Sequence, residues 1–301
     1  MDTMTRTKLV VGSRESKLAV VQSNIVIDYL RENYPRLEVE LLALKTTGDI
    51  KLDGPLYQIG GKGLFVKELD VALMERRSDI SVHSLKDVPM EVSEELPLLG
   101  FSRREDERDA LVMGRDGAEL RPGMVVGCSS LRRQLQLKAL YPGVEFRNVR
   151  GNVLTRLQKL DNGEYDALVL ASAGLRRLGL GDRITRCFDT EELLPAAGQG
   201  ILAIQGRRGE DYSMMEGFYD PDGCAAALAE RAFVRRVNGG CSSPMAAPAV
   251  LRGELLELTA LYYDEDRGSY RKHTMTGERS CAEEIGVEMG DWFRDNKGDG
   301  V

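Results

Sequence analysis

The sequence predicts an α/β protein built from two βα-alternating units followed by a smaller α+β segment. Three observations carry that expectation. Apolar runs of strand length alternate with amphipathic stretches of helix length, which is the pattern of a largely parallel sheet covered by helices. The alternation is interrupted by a charged stretch, Arg103 to Arg108, and then resumes. Beyond a Pro- and Gly-containing segment, Leu194 to Gly200, it gives way to one helix and a two-residue alternation typical of antiparallel strands.

In the first unit Lys8 to Gly12 reads as a strand. A helix follows with Leu18, Val21, Ile25 and Tyr29 at helical spacing, Ser16 as its N-cap and Pro35 beyond its end. Val39 to Lys45 is the next strand. After a glycine-rich loop, Leu64 to Arg77 forms an amphipathic helix that leads into a strand at Asp79 to His83. The second unit repeats the scheme. Met124 to Gly127 is a strand, a helix starts at Leu131, a short strand lies near Val144, a helix starts at Val153, and Asp166 to Leu170 is a buried strand. The third segment opens with a helix at Ala225 to Val237, passes the loop Asn238 to Pro244, and shows strand alternation at Leu255 to Tyr263. Arg103 to Arg108 and Leu194 to Gly200 are the expected linkers.

Composition narrows the function classes. A chain of 301 residues with 42% hydrophobic and 30% charged residues is globular and large enough for two or three domains. No stretch approaches the roughly 20 apolar residues of a membrane helix. The N-terminal segment lacks the long apolar core and cleavage site of a secretory signal, so a cytoplasmic location is expected. A net charge of −7 argues against a nucleic-acid face. Five cysteines without a C-x-x-C pair speak against a disulfide framework or zinc site, and two histidines, His83 and His273, leave little for a metal centre or a Ser-His-Asp site. No metal is expected.

Against this acidic background, arginines collect where strands turn into helices. Arg14 occupies the turn after the first strand, Arg132 and Arg133 follow Ser129 and Ser130 in the first turn of a helix, Arg150 sits in NVRGN, Arg156 lies in the next helix, and Arg177 follows the 166 to 170 strand. Ligands of open α/β sheets bind at these strand ends, and the guanidinium fork pairs with carboxylates even when partly desolvated. The inferred ligand carries several carboxylates. The plainer reading of Arg132 and Arg133 is a pair of solvated surface charges. Lys86 and Asp87, in Val82 to Pro89, end a strand in a loop. A carboxylate among cations stays ionised and suits an ammonium leaving group and a developing carbocation; the plainer reading is a loop-capping aspartate. Cys241, in Gly-Gly-Cys-Ser-Ser-Pro, is an exposed nucleophile or attachment point, whereas Cys187, Cys224 or Cys281 can be small buried hydrophobes. Gly60 to Gly63 lacks the spacing of a nucleotide-binding loop and reads as a cover over the cleft with Lys62 reaching the ligand.

The strings GSRESKLA, GGKGLFVKEL, VHSLKDVP, SSLRRQ, RGN, TRL, DNGEYDA, AGLRRLGL, LPAAGQG and GGC, in this order along nearly the whole chain, resemble the hydroxymethylbilane synthase (porphobilinogen deaminase) family. The resemblance implies two periplasmic-binding-protein-like α/β domains, 1–103 with 200–218 and 104–199, and a smaller α+β domain, 219–301. It implies a transferase of tetrapyrrole biosynthesis that joins four porphobilinogens head to tail, with loss of ammonia, on a dipyrromethane cofactor held by a thioether to Cys241, and then releases hydroxymethylbilane by hydrolysis. Asp87 matches the catalytic aspartate. Arg14, Ser16, Gln22, Lys62, Lys86, Ser129, Ser130, Arg132, Arg133, Arg150, Arg156 and Arg177 match positions that bind cofactor and substrate. A monomer that passes its product to uroporphyrinogen-III synthase, with no nucleic-acid or membrane partner, is expected. Cys128 departs from the pattern, standing where the family often has threonine, and so do Ser242 and Ser243. A non-catalytic bilobed binding protein for a polycarboxylate explains the α/β halves and the arginines as well, but gives no reason for Cys241.

Overall fold

In a computed structural model, residues 6–50, 66–114, 117–239, 243–264 and 268–296 are described, 49 and 50 by backbone alone. The chain divides into two compact units. Among the described residues, 6–50, 66–104 and 201–224 form the first, and 105–200 and 225–296 contribute to the second. The expected C-terminal body therefore groups with the arginine-rich half into one unit, while carrying a sheet of its own.

The first unit contains β1 (Lys8–Arg14), α1 (Lys17–Asn33), β2 (Glu38–Leu44), α2 (Thr47–Ile50), α3 (Lys67–Met74), β3 (Ile80–Ser84) and β4 (Leu98–Phe101); the second unit begins with β5 (Asp109–Met113), β6 (Val125–Gly127), α4 (Leu131–Leu140), β7 (Glu145–Arg147), α5 (Val153–Asp161), β8 (Ala167–Ala171), α6 (Ser172–Arg177) and β9 (Arg186–Cys187). The chain returns to the first unit in β10 (Leu202–Gly206), then enters α7 (Pro221–Arg236), β11 (Met245–Ala246), β12 (Ala249–Arg252), β13 (Leu255–Asp264), β14 (Ser269–Glu278) and α8 (Ala282–Asp295).

The two large sheets share one plan. Their strand orders are β2-β1-β3-β10-β4 and β7-β6-β8-β5-β9, each with three parallel strands and a fourth running antiparallel to both neighbours. An aspartate directly before the central strand, β3 or β8, performs the same task in both. Asp79 accepts from the backbone N–H of Val10 at 2.7 Å and Asp166 from that of Val125 at 2.7 Å, so each carboxylate clasps the parallel strand that neighbours its own, β1 beside β3 and β6 beside β8. The inserted strands β10 and β5 were not foreseen, because a buried run such as Ala110 to Met113 beside a charged stretch carries no periodicity.

Two-residue alternation sorts the second sheet's side chains. Leu111, Met113, Ala167 and Val169 join Leu137 and Phe188 on one face, while Ala110, Val112, Leu168 and Leu170 join Leu157, Leu160 and Leu175 on the other. Both faces are buried, as a helix-covered sheet requires. In the first unit Leu9, Val11, Ile80 and Ile204 pack on Val26, Ile27 and Leu30 of α1. The inward face of α1 is thus offset from the expected stripe. Ile25 is 39% exposed, whereas Gln22 and Ser23 are buried, because the polar Gln22 has a partner within the fold.

The third sheet is antiparallel, β11-β13-β12 with β14 on β13. The helix α8 packs closely on α7 at Gly286, where a Cβ would stand 2.2 Å from the carbonyl of Ala229. Both β14 and α8 lay beyond the sequence reading.

Candidate active site

In the first unit the strand ends converge on a small pocket lined by Arg14, Ala19, Gln22, Val66, Val82, His83, Ser84 and Asp87. Arg14 is the last residue of β1, Ser84 the last of β3, and a 3-10 turn, Leu85–Asp87, carries the aspartate directly beyond β3. That turn is fixed by burial of Leu85 and by donation from the backbone N–H of Val88 to the Leu85 carbonyl. Asp87 is exposed, and among the described residues its carboxylate takes no hydrogen bond or ion pair. The loop-capping reading of Asp87 is therefore wrong: its carboxylate caps no backbone group among the described residues. Lys86 is half-buried beside it.

Gln22 is buried and pairs with Ser84, donating from Nε2 to Oγ at 3.0 Å. Ser16 caps α1, its Oγ accepting from the Ala19 N–H at 3.4 Å. His83, missed as a site residue although it lies in the VHSLKDVP string, is 5% exposed with Nε2 at 2.9 Å from Gln205 Oε1. Burial pulls its pKa down to about 4, helped by Arg14 and opposed by Gln205 and Asp87, so the ring is neutral at pH 7.

In the second unit the analogous strand ends carry Ser129, Ser130, Arg150, Arg156 and Arg177, while Arg132 and Arg133 point inward. The plainer reading of that arginine pair as solvated surface charges fails: Arg132 is 3% and Arg133 7% exposed. Arg132 donates to Asp109 Oδ2 at 2.7 Å and to the Leu194 carbonyl; Arg133 donates from Nε and Nη2 to Asp109 Oδ1 at 2.9 and 2.7 Å. Gln199 adds a donor to the same carboxylate at 2.8 Å. The cations in the first turn of α4 thus have their anion, Asp109, whose carboxyl is held far below the usual range by the two guanidiniums against a large opposing cost of burial. Asp109 was invisible to sequence reasoning, since nothing local marks it.

Ser130 caps α4, accepting from the Arg133 N–H at 3.5 Å. The Ser129 hydroxyl is shared with the backbone of Val149, donating to its carbonyl at 2.6 Å and accepting from its N–H at 3.0 Å. Arg156 is half-buried and donates to the Gly151 carbonyl at 2.8 Å, and Arg150 is half-buried in the turn before α5. Arg177 donates to the Gly200 carbonyl at 2.6 Å and has no carboxylate within ion-pair distance among the described residues. Burial brings its pKa down to about 10, with Glu105 opposing, so it is a desolvated cation. Lys62 and Cys241 lie outside the described residues. Of the other cysteines Cys128 is buried, Cys187 and Cys224 are half-buried, and Cys281 is exposed, against its expected place as a buried hydrophobe.

Residues 9–216 match the model of the family "porphobilinogen deaminase, dipyrromethane cofactor binding domain", and residues 224–295 match that of the porphobilinogen deaminase C-terminal domain. The chain belongs to the porphobilinogen deaminase family. Curated porphobilinogen deaminases from Alkaliphilus oremlandii and Acetivibrio thermocellus are 52% and 51% identical to it over 94% of this chain and 95% and 96% of theirs. Among solved structures, the periplasmic aliphatic sulphonate binding protein SsuA from Escherichia coli aligns over 77% of this chain and 70% of that chain at 13% identity and a TM-score of 0.42. Membership makes the chain a transferase of the tetrapyrrole class, with dipyrromethane as the family's cofactor, and does not favour the binding-protein alternative. The donor set fits such a cofactor. A polycarboxylate needs fixed cations, and Arg177 is a desolvated one that makes no ion pair among the described residues.

Proposed function

We propose that the chain polymerises four porphobilinogens head to tail with loss of ammonia and releases linear hydroxymethylbilane, as a hydroxymethylbilane synthase. The observation that carries this reading is Asp87 in the turn after β3, exposed and without a hydrogen bond or ion pair among the described residues, beside Arg14 in one pocket. When bound, the dipyrromethane supplies a primer with a nucleophilic pyrrole carbon, attached through Cys241.

The chain's own residues then have distinct tasks. Asp87 holds an ammonium by hydrogen bonding and offsets positive charge developing on the carbon it leaves, which requires that the carboxylate stay ionised. Arg14, with Lys62 and Lys86, orients substrate carboxylates; Gln22 and Ser16 shape the pocket floor by fixing Ser84 and the start of α1. Arg150, Arg156 and Arg177 hold the acidic side chains of the primer at the strand ends of the second unit, and the capped N-termini of α4 and α5 add favourable dipoles there. Ser129, Ser130, Arg132 and Arg133 keep that edge rigid through Val149 and Asp109, so their contribution to binding runs largely through position. A cytoplasmic monomer that hands its product to uroporphyrinogen-III synthase completes the reading; no helix among the described residues is long and apolar enough to cross a membrane.

Intact mass of the purified protein beside its Cys241→Ser variant, under reducing conditions, tests the proposal. The expected result is an excess of two pyrrole units in the parent alone, either as purified or after incubation with porphobilinogen. No adduct in either state overturns it.

A further inference from the structure

We propose that His83 is a substrate-facing hydrogen-bond acceptor of the Asp87 pocket, taking one N–H of the aminomethyl ammonium through Nδ1 while Asp87 takes another. The inference rests on the deaminating reading above and assigns a positioning role at the leaving group to a residue outside the expected set.

The tautomer follows from the network around the ring. Gln205 donates from Nε2 to the Leu96 carbonyl at 2.9 Å, so its Oε1 is the atom turned to His83, 2.9 Å from Nε2. Nε2 must then carry the proton, and the lone pair lies on Nδ1. Among the described residues no donor reaches Nδ1. The imidazole commits one nitrogen to a buried amide and keeps the other, which is not sealed from solvent, as an acceptor that a ligand N–H can use. His83 and Asp87 line the same small pocket, which is what brings the two acceptors to one ligand group in this proposal.

The charged and titratable groups around the ring are Arg14 from β1 and Asp87 from the turn after β3, with Asp70 of α3 acting on Gln205. Burial dominates them and keeps the ring a weak base. That weakness serves the chemistry. The carbon–nitrogen bond breaks with its electron pair going to nitrogen, and ammonia departs from the protonated amine. A strong base beside the ammonium would remove the proton that makes nitrogen a leaving group, whereas a neutral, weakly basic imidazole holds the N–H and leaves the proton in place.

Asn and Gln substitutions separate this role from a structural one, because an Asn amide reaches the place of Nδ1 and a Gln amide that of Nε2. His83→Gln keeps the bond to Gln205 and loses the pocket acceptor; kcat for porphobilinogen consumption and ammonia release should fall roughly 10- to 100-fold, the worth of a hydrogen bond to a charged group. His83→Asn keeps the acceptor and should remain near the parent value. The reverse order, with His83→Asn impaired and His83→Gln at parental kcat, makes His83 structural and overturns the inference. Should neither variant fold, the parent decides. The chain has only two histidines, so 15N-histidine spectra contain one other ring. Porphobilinogen added to the slow Asp87→Asn protein should move the unprotonated Nδ1 resonance of His83 upfield, and an unmoved resonance in the saturated complex overturns the inference. A parent protein that consumes no porphobilinogen removes the functional reading and this inference with it; a parent that consumes it while His83→Gln is unimpaired removes the inference alone.

Discussion

At the scale of single residues, the two carboxylates Asp87 and Asp109 show how position decides a role. Asp109 is fully buried and bound by two guanidiniums and an amide, so its charge is consumed in holding β5, α4 and the 194–200 segment together. Asp87 is exposed and makes no hydrogen bond or ion pair among the described residues, which suits the role proposed for it. Asp87→Asn, which keeps shape and loses charge, should fold and acquire the primer as the parent does while kcat falls by roughly 10²-fold or more; single-turnover ammonia release from the adduct-bearing variant measures it, and near-parental turnover removes Asp87 from its role. His83 gives a pH signature. Its ring titrates at about 4 in the folded state against 6.5 for the reference ring, because burial penalises the cation. A base whose folded pKa is depressed contributes stability that is complete above the unfolded value and declines as pH falls through the interval between the two. Stability should therefore drop by about 3 kcal/mol between pH 7 and pH 4 from this residue. Urea midpoints at pH 7 and pH 5, ahead of most carboxylate titration, should differ less in His83→Gln than in the parent.

At the scale of elements, capping and close approach explain what the sequence made legible and what it did not. Ser16, Ser130 and Asn152 start their helices with side chains that accept from the third residue onward, and all three helix starts at 17, 131 and 153 followed from sequence. Helix faces were harder. The offset of α1 arises because Gln22 is drawn inward by Ser84, a contact 62 positions away that no local period encodes. The antiparallel strands β5 and β10 were missed for a related reason: buried on both faces, they carry no alternation, and their partners come from distant segments. The crossing of α7 and α8 depends on Gly286, where an added Cβ would meet the Ala229 carbonyl at 2.2 Å and the Ala232 Cβ at 2.7 Å. Helix propensity alone favours alanine, so Gly286→Ala isolates the packing effect. Backbone must shift to relieve the clash, and a loss of about 1–3 kcal/mol is expected by urea unfolding; an unchanged or raised midpoint shows that the helices part without cost.

At the scale of the whole molecule, a covalent primer held by arginines stabilises the folded state and not the unfolded one. The adduct-bearing parent should melt several degrees above Cys241→Ser, and the gap should shrink in Arg177→Leu, which loses a desolvated cation; equal melting temperatures of parent and Cys241→Ser count against arginine-held primer. The sequence by itself determined the α/β class, the repeated βα plan, the helix starts and the set of positions that bear charge at strand ends, because periodicity, capping and short motifs are local physics. Only the tertiary structure decided which of those charges are paired with a carboxylate inside the fold. Arg132 and Arg133 look identical in kind to Arg177 along the chain, yet the first two are buried on Asp109 while Arg177 meets a carbonyl. The difference rests on a carboxylate more than twenty residues away, and the tautomer of His83 rests on Gln205, 122 positions along the chain. Burial and pairing are properties of neighbours in space, and those neighbours exist only once the sheets have formed.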